Sequence, residues 1–526
     1  MCNKMKWGMC VVFLFMAGCS PHYLERSADK EVSTILEEKK KEIGKSTLPA
    51  PAITDNTSSE TIILNIKGAT ALAKNNNRTY KSKQEDVYLN ILDLTYQRYL
   101  FGMRYGLGGG LYMEKGDEKS VTGNVNFTLL RWLATGAQIT FDITKDFVSY
   151  LTGDKKTDFQ TMISLDILQP LLKGAGRAVA QEDLIQAERE AVYTIRDFVR
   201  YQKSFSIETS ENFLNIILLQ KRVENFYNNY QSIKATRERI EMLAEAGRVP
   251  PLEVDQARQN EYTAYQRWLD AENSYLSAVD NFKVFLGLST KSSIFIKDTL
   301  IENIMETGIT QPDIDIKGYV DNALKKRLDL LTYYDRVEDA KRKIKVALNK
   351  LKPEVNLVVN ISGSTDTHSQ PTLEFNEPTY KTGIEFDLPL DRLPDRNFYK
   401  KALIDLNRKQ RAFENQRDTV ILEVYQQYRN LHEYYQSYLT QQNSLLLAKR
   451  RVESTDLLLQ AGRATIRDIL EAEEAYLSAK NDLATAVVNY ILSYLRFINS
   501  AELLELDEKG MWEDIYEKIT KNAVEK

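Results

Sequence analysis

Five segments of the chain alternate apolar and polar residues with period two. Val125, Phe127 and Leu129 interleave with Asn124, Asn126 and Thr128; Ile139, Phe141 and Ile143 interleave with Gln138, Thr140, Asp142 and Thr144. Phe159, Ile163, Leu165 and Ile167 interleave with Gln160, Ser164 and Asp166, with Thr161 out of phase. Val355, Leu357, Val359 and Ile361, and later Ile384, Phe386 and Leu388, repeat the pattern. Each segment predicts a strand with one apolar and one polar face. A half-buried soluble sheet fits this periodicity as well as a membrane sheet does. Two features favour the membrane: lengths near the ~9–11 residues of a tilted spanning strand, and carboxylates on the polar face, as a water-filled lumen allows. The aromatic and Gly-rich stretch Tyr99–Met113 reads as a sixth strand. Its Gly106–Gly110 run lacks the Lys-Ser/Thr and helix start of a phosphate loop.

Between the strand regions the period changes. From about Arg177 to Ala246, and from about Arg396 to Ala461, there is neither proline nor glycine. Each run predicts a helix of ~70 residues, roughly 100 Å long, with apolar positions at helical spacing and a wet remainder. Gly247 and Gly462 suit a left-handed helix stop. Pro250-Pro251 opens one return helix, and Thr465 with Asp468 resembles a capping box opening the other. The return helices end near Phe285 and Phe497, so shorter helices, about Glu85–Arg98 and Gly318–Asn349, are expected to stack end to end on them.

The chain is written twice. Ala246-Gly247-Arg248 recurs as Ala461-Gly462-Arg463, and Ile66-Lys67-Gly68 as Ile316-Lys317-Gly318. The repeat is too long for a solenoid unit. It divides the mature chain into halves at 61–313 and 314–526, with strands about 99–170 and 353–390 and helix hairpins at 175–286 and 395–500. The first-half strand region is longer by roughly thirty residues, which an extra hairpin near Val121–Phe147 accounts for.

Composition narrows the function. The formal net charge of −4 argues against nucleic acid. All three cysteines, Cys2, Cys10 and Cys19, sit at the N-terminus, so the rest of the chain has no disulfide, thiolate metal site or cysteine nucleophile. Its three histidines are scattered, and no nucleophile–base set stands out, so no catalytic role and no metal is expected. Lys4 and Lys6 precede an apolar run too short to span a bilayer. Met16-Ala17-Gly18-Cys19 resembles a bacterial lipobox, with Met16 where Leu is usual. That resemblance implies a signal peptide at 1–18, diacylglycerol and N-acyl lipid on Cys19, and sorting to the outer membrane. Residues 19–60 then read as a partly flexible lipidated tether. No later segment can cross a bilayer as a helix, so a spanning chain must do so as strands. Strands from one chain cannot close in lipid, and open edges are not tolerated there, so the barrel must be shared between copies.

These features together resemble the TolC-type outer-membrane efflux and secretion channels. The resemblance rests on the duplicated Ala-Gly-Arg turns, with Val254-Asp255-Gln256-Ala257 and Asp468–Ala472 beyond them, on Gln169-Pro170-Leu171-Leu172 and Phe386–Leu390, and on Ala323–Leu330. It implies a mainly α fold with membrane β: a long α-helical barrel under a twelve-stranded β-barrel shared by a homotrimer, four strands per chain. It also implies a periplasmic adaptor, an inner-membrane transporter, passive conduction from the pump to the cell exterior, and no cofactor beyond the lipid on Cys19. Gly247, Arg248, Gly462, Arg463 and Thr465 are then adaptor-facing. Asp255, Arg467, Asp468 and Glu471, near the same helix ends, are candidates for the closed constriction, where carboxylates repeated around a trimer favour cations. A non-conducting coiled-coil lipoprotein of the envelope is the alternative reading.

Overall fold

A computed structural model describes residues 21–43, 62–115, 119–150, 158–297, 304, 308–309, 314–365, 375–507 and 509–512. The described residues fall into two compact units, one within 1–50, 86–196 and 332–415, the other within 51–85, 197–331 and 416–526. The signal sequence and Cys19 lie outside the described residues.

The elements follow the duplication closely. After α1 (Pro21–Ile43) and β1 (Ile62–Leu64), the first half runs α2 (Ile66–Asn76), α3 (Arg78–Phe101), β2 (Met103–Lys115), β3 (Lys119–Trp132), β4 (Gln138–Tyr150) and β5 (Asp158–Pro170). It continues through α4 (Arg177–Ala180), α5 (Glu182–Glu245), α6 (Pro251–Phe285) and β6 (Ile294–Ile296). The second half repeats this as α7 (Ile316–Lys326), α8 (Leu328–Lys350), β7 (Glu354–Ser364), β8 (Thr379–Asp387), α9 (Leu393–Gln460) and α10 (Ile466–Ser500). The long helices α5 and α9 have 64 and 68 residues, and the return helices α6 and α10 have 35 each.

Local chemistry repeats too. Asn65 caps α2 by accepting the Gly68 N–H at 2.8 Å, and Asp315 caps α7 by accepting the Gly318 N–H at 3.2 Å. The helix junctions use equivalent positions with different residues. Asn77, between α2 and α3, donates to the Phe285 carbonyl at the end of α6 (2.6 Å). Arg327, between α7 and α8, donates to the Ser500 carbonyl at the end of α10 (3.3 Å) and to Asp329 and Glu423 (3.0 and 2.5 Å). In both halves the junction of the two short helices therefore meets the end of a return helix, and these bonds satisfy carbonyls left open at the helix ends.

In the first unit all six long strands form one antiparallel sheet of order β2-β3-β4-β5-β7-β8. The resemblance implies four strands per chain; the additional pair agrees with the extra first-half hairpin expected from the repeat offset. The helix α3 runs to Phe101, so β2 begins at Met103, four residues later than expected. Thr161 stays in register, paired with Lys145. It is a polar residue on the apolar face, with no bulge needed to explain it. Residues 21–43, expected within a flexible tether, form the helix α1 instead. Val32 and Ile35 are buried, Asp29 accepts the Tyr88 hydroxyl at 2.7 Å and Glu38 pairs with Arg98 at 3.5 Å. Since Asp29 meets Tyr88 and Glu38 meets Arg98, α1 runs parallel to α3, and its N-terminus points away from the sheet.

In the second unit Tyr80 is fully buried against Phe198, Tyr201 and Phe205. Tyr319 and Tyr428 pack on Phe497, and Tyr435 on Tyr490. The fully buried Tyr80, Tyr490 and Phe497 each contribute on the order of 2–3 kcal/mol of burial. Among the described residues no helix is long and apolar enough to cross a membrane.

Candidate channel surfaces

The cross-strand register sorts the sheet into two faces. On one face a row runs Leu107, Phe127, Ile143, Ile163, Gly363, and the next runs Tyr105, Leu129, Phe141, Leu165, Ile361, Tyr380. The opposite face carries Gly108, Asn126, Thr144 and Met162 in one row, and Thr128, Asp142, Ser164 and Ser362 in another. Polar groups on that face bond across strands: the Thr128 hydroxyl donates to Asp142 at 2.5 Å, and Asn360 donates to Asp166 at 2.5 Å. The apolar face is exposed, with Tyr105, Leu107, Leu111, Met113, Tyr380, Ile384 and Phe386 each at least 64% accessible. A sheet facing water on both sides does not carry such a continuous apolar surface; a lipid-facing wall over a polar lumen does. The glycine run lies inside β2, with Gly106, Gly108 and Gly110 on the polar face.

The helix-connected ends of β2, β5, β7 and β8 lie on one side of the sheet. The turn at Leu133–Ala137 lies there too, and the breaks after β2, β4 and β7 lie at the other end. Strand β2 runs away from the helices and β8 returns to them. Among the described residues the sheet ends at these two strands, each with one open edge.

The second unit holds the helix turns. Gly247 and Gly462 have φ of 72° and 69°, the left-handed conformation that glycine adopts without strain. Arg248 N–H donates to the Leu243 carbonyl (2.9 Å) and Arg463 N–H to the Leu458 carbonyl (2.8 Å), closing matching helix stops. A Cβ at either glycine would meet nothing within 4 Å, so the backbone angle alone demands glycine. Thr465 and Asp468 form a full capping box: Asp468 accepts from the Thr465 N–H (2.8 Å) and hydroxyl (2.6 Å), and Thr465 accepts the Asp468 N–H. These bonds to Thr465, with Arg451 and Arg467 nearby, hold the Asp468 carboxyl below the usual range.

The two turns are brought to the same end. Ile233, Ile240, Ala257, Ala264, Ile466 and Ile469 form one buried cluster contributed by α5, α6 and α10, with Val452 and Leu459 of α9 against it. Gly247, Arg248, Gly462, Arg463 and Thr465 are exposed there. Asp255 lies on the exposed flank of α6 beside Arg258, Gln259 and Tyr262. Arg467 is exposed, and Glu471 pairs with Arg451 at 3.1 Å.

Sequence reasoning missed two features of this unit. Glu473 is buried on α10 and accepts the Ser232 hydroxyl at 2.7 Å; burial pushes its carboxyl up. The return helices also differ in exposure. α10 is buried along its length, whereas α6 buries only Ala257, Ala264, Val279 and Phe282. α6 leaves Leu252 and Tyr262 exposed, and α9 leaves Leu422, Leu447 and Leu457 exposed. The apolar pattern of α10, with Val487, Val488, Ile491, Leu492 and Leu495 close together, is the sequence signal for its central place.

A two-faced sheet and duplicated long helix hairpins give this chain a fold similar to that of TolC-like outer-membrane channel structures. Residues 319–497 match the family model described as outer membrane efflux protein. Among solved structures the chain is similar to CusC, described in terms of transmembrane channel formation, at 13% identity and TM-score 0.62 over 87% of this chain and 99% of that one. It is similar to the outer membrane protein VceC of Vibrio cholerae, at 15% identity and TM-score 0.60 over 83% and 95% of the two chains. It is also similar to the CmeC outer membrane channel of Campylobacter jejuni, at 14% identity and TM-score 0.60 over 90% and 94%. No curated protein matches the chain by sequence.

Proposed function

We propose that three copies of this chain form an outer-membrane conduit that lets solutes pass from a periplasmic adaptor and an inner-membrane transporter to the cell exterior. The two-faced sheet with open edges carries this reading: in lipid those edges must be paired, and one chain cannot pair them alone. The exposed apolar flanks support it. They lie on different helices, α6 and α9, so a head-to-tail ring brings one copy's α6 against the next copy's α9. The chain makes and breaks no bond in this role; the transporter supplies the energy.

The exposed turns at Gly247, Arg248, Gly462, Arg463 and Thr465 are the surface for the adaptor. Asp255, Arg467, Asp468 and Glu471 lie near that end, where copies of a carboxylate around the axis favour cations. Acyl chains on Cys19 anchor the chain, and the orientation of α1 constrains how. Asp29 is level with Tyr88, and Pro21 lies farther still from the sheet, about 30 Å from the start of β2 at 1.5 Å per helical residue. The two residues from Cys19 to Pro21 span about 7 Å. A membrane-seated anchor therefore requires α1 to leave α3.

Purified protein in a planar bilayer is expected to give discrete, voltage-tolerant conductance steps without any energy source. Neutralising Asp468 and Glu471 together is expected to lower the cation preference. Conductance with unchanged selectivity would remove these two from the constriction; absence of conductance would favour a non-conducting envelope lipoprotein.

A further inference from the structure

We infer that all six strands of each chain enter the membrane wall, so that a ring of three copies closes an eighteen-stranded barrel through contacts between β2 of one copy and β8 of the next. The inference rests on the trimeric channel reading and goes beyond it in the number of strands, the identity of the contacting edges and the width of the pore.

The β2–β3 and β3–β4 pairings are as complete as any in the sheet. Each covers 13 residue pairs, from Met103↔Arg131 to Lys115↔Lys119 and from Ser120↔Tyr150 to Trp132↔Gln138. The division into faces does not stop at β4. Leu107 and Phe127 continue the apolar row of Ile143 and Ile163, and Gly108 and Asn126 continue the polar row of Thr144. A β2–β3 hairpin held outside the barrel in water would expose Tyr105, Leu107, Leu111, Val125 and Phe127 with nothing to cover them. The same residues on the wall face lipid. Strands β2, β3 and β4 have 13, 14 and 13 residues, enough to cross the hydrocarbon at the usual tilt.

Direction and parity permit closure. Strands alternate in direction across the sheet, and six is an even number. β8 of one copy and β2 of the next are therefore antiparallel, as in every other pairing of the sheet. Their faces agree as well: Tyr380, Ile384 and Phe386 lie on the side of Tyr105, Leu107 and Leu111, while Lys381, Gly383 and Glu385 lie on the side of Gly106, Gly108 and Gly110. The contact is heterologous, as a closed ring requires. At ~4.8 Å between strands and ~40° tilt, twelve strands give a backbone diameter of about 24 Å and eighteen about 36 Å. Eighteen strands lie in the range that leaves an open aqueous lumen. In β2 the lumen side carries Gly106, Gly108 and Gly110, which take no side-chain volume from it.

Cysteine cross-linking between copies distinguishes the edges. Gly106 and Gly383 both have open space where a Cβ would lie, and the chain's own cysteines are confined to Cys2, Cys10 and Cys19. Full-length protein carrying Gly106→Cys is paired in turn with Lys381→Cys, Gly383→Cys and Glu385→Cys to scan the register, then treated with a short bis-maleimide. Covalent dimers and trimers in at least one pair are the expected result. A parallel series pairs Thr144→Cys on β4 with the same β8 positions. Cross-links in that series, with bilayer conductance retained, would place β2 and β3 outside the wall and overturn this inference while leaving the channel reading standing. Absence of both conductance and threefold particles for the unsubstituted chain would overturn both. If the variants fail to insert, electron microscopy of the unsubstituted protein in nanodiscs decides the matter: a barrel about 36 Å across supports six strands per copy, and one about 24 Å across contradicts it.

Discussion

At the residue scale, backbone geometry and one buried carboxyl make the sharpest demands. Gly247 and Gly462 have no steric neighbour for a Cβ, so alanine there pays only for the left-handed angle, about 1–2 kcal/mol. Gly247→Ala and Gly462→Ala are each expected to lower the thermal midpoint by a few degrees in circular dichroism; an unchanged midpoint would contradict the assigned helix stop. Glu473 tests the electrostatics. Burial raises its folded-state pKa, so the native state gains stability as pH falls through that raised value toward the ordinary carboxyl range and loses it as pH rises. Glu473→Gln is expected to melt higher than the parent at neutral pH and to lose this part of the pH dependence between neutral and mildly acidic conditions. A parent and variant with parallel melting curves across that window would remove the buried charge from the account. The Gly-Arg turns and the capping box were legible because their chemistry is local. Glu473 was not, because its burial depends on Ser232 in another helix.

At the scale of elements, period two and the long runs free of proline and glycine were enough to locate the strands and the helix hairpins. The extra hairpin was legible from the unequal repeat offsets. The Gly-rich β2 was harder to place, since its polar face has few side chains and only pairing with β3 fixes its register. The helix α1 was hidden by its composition: its Lys and Glu residues suit a tether, and only Val32 and Ile35 with the Asp29 and Glu38 contacts tie it to α3. The junctions diverged as well, with Asn77 and Arg327 meeting the same kind of helix-end carbonyl by different side chains. The sheet makes a direct prediction. Ile143 stands between Phe127 and Ile163 on the apolar face, and its neighbour Asp142 faces the other way. Ile143→Lys is expected to cost about 2–4 kcal/mol if it lies at mid-membrane depth and to deplete the assembled, membrane-extracted fraction. Asp142→Asn is expected to assemble normally. Equal tolerance of both changes in a membrane-fractionation assay would show that the face is not in lipid.

At the scale of the whole molecule, one chain leaves exposed surfaces that the proposed ring of three copies would cover. The open edges of β2 and β8 and the apolar flanks of α6 and α9 have this in common, although they lie in different units. Neither surface could be counted from the sequence, because exposure is a property of the folded chain. Threefold closure joins them into one account, in which the sheet seals against lipid and the helices against each other. Electron microscopy of detergent-solubilised particles tests that account most directly. Hollow particles with threefold symmetry are the predicted result. Monomeric particles, or a ring of any other order, would contradict it.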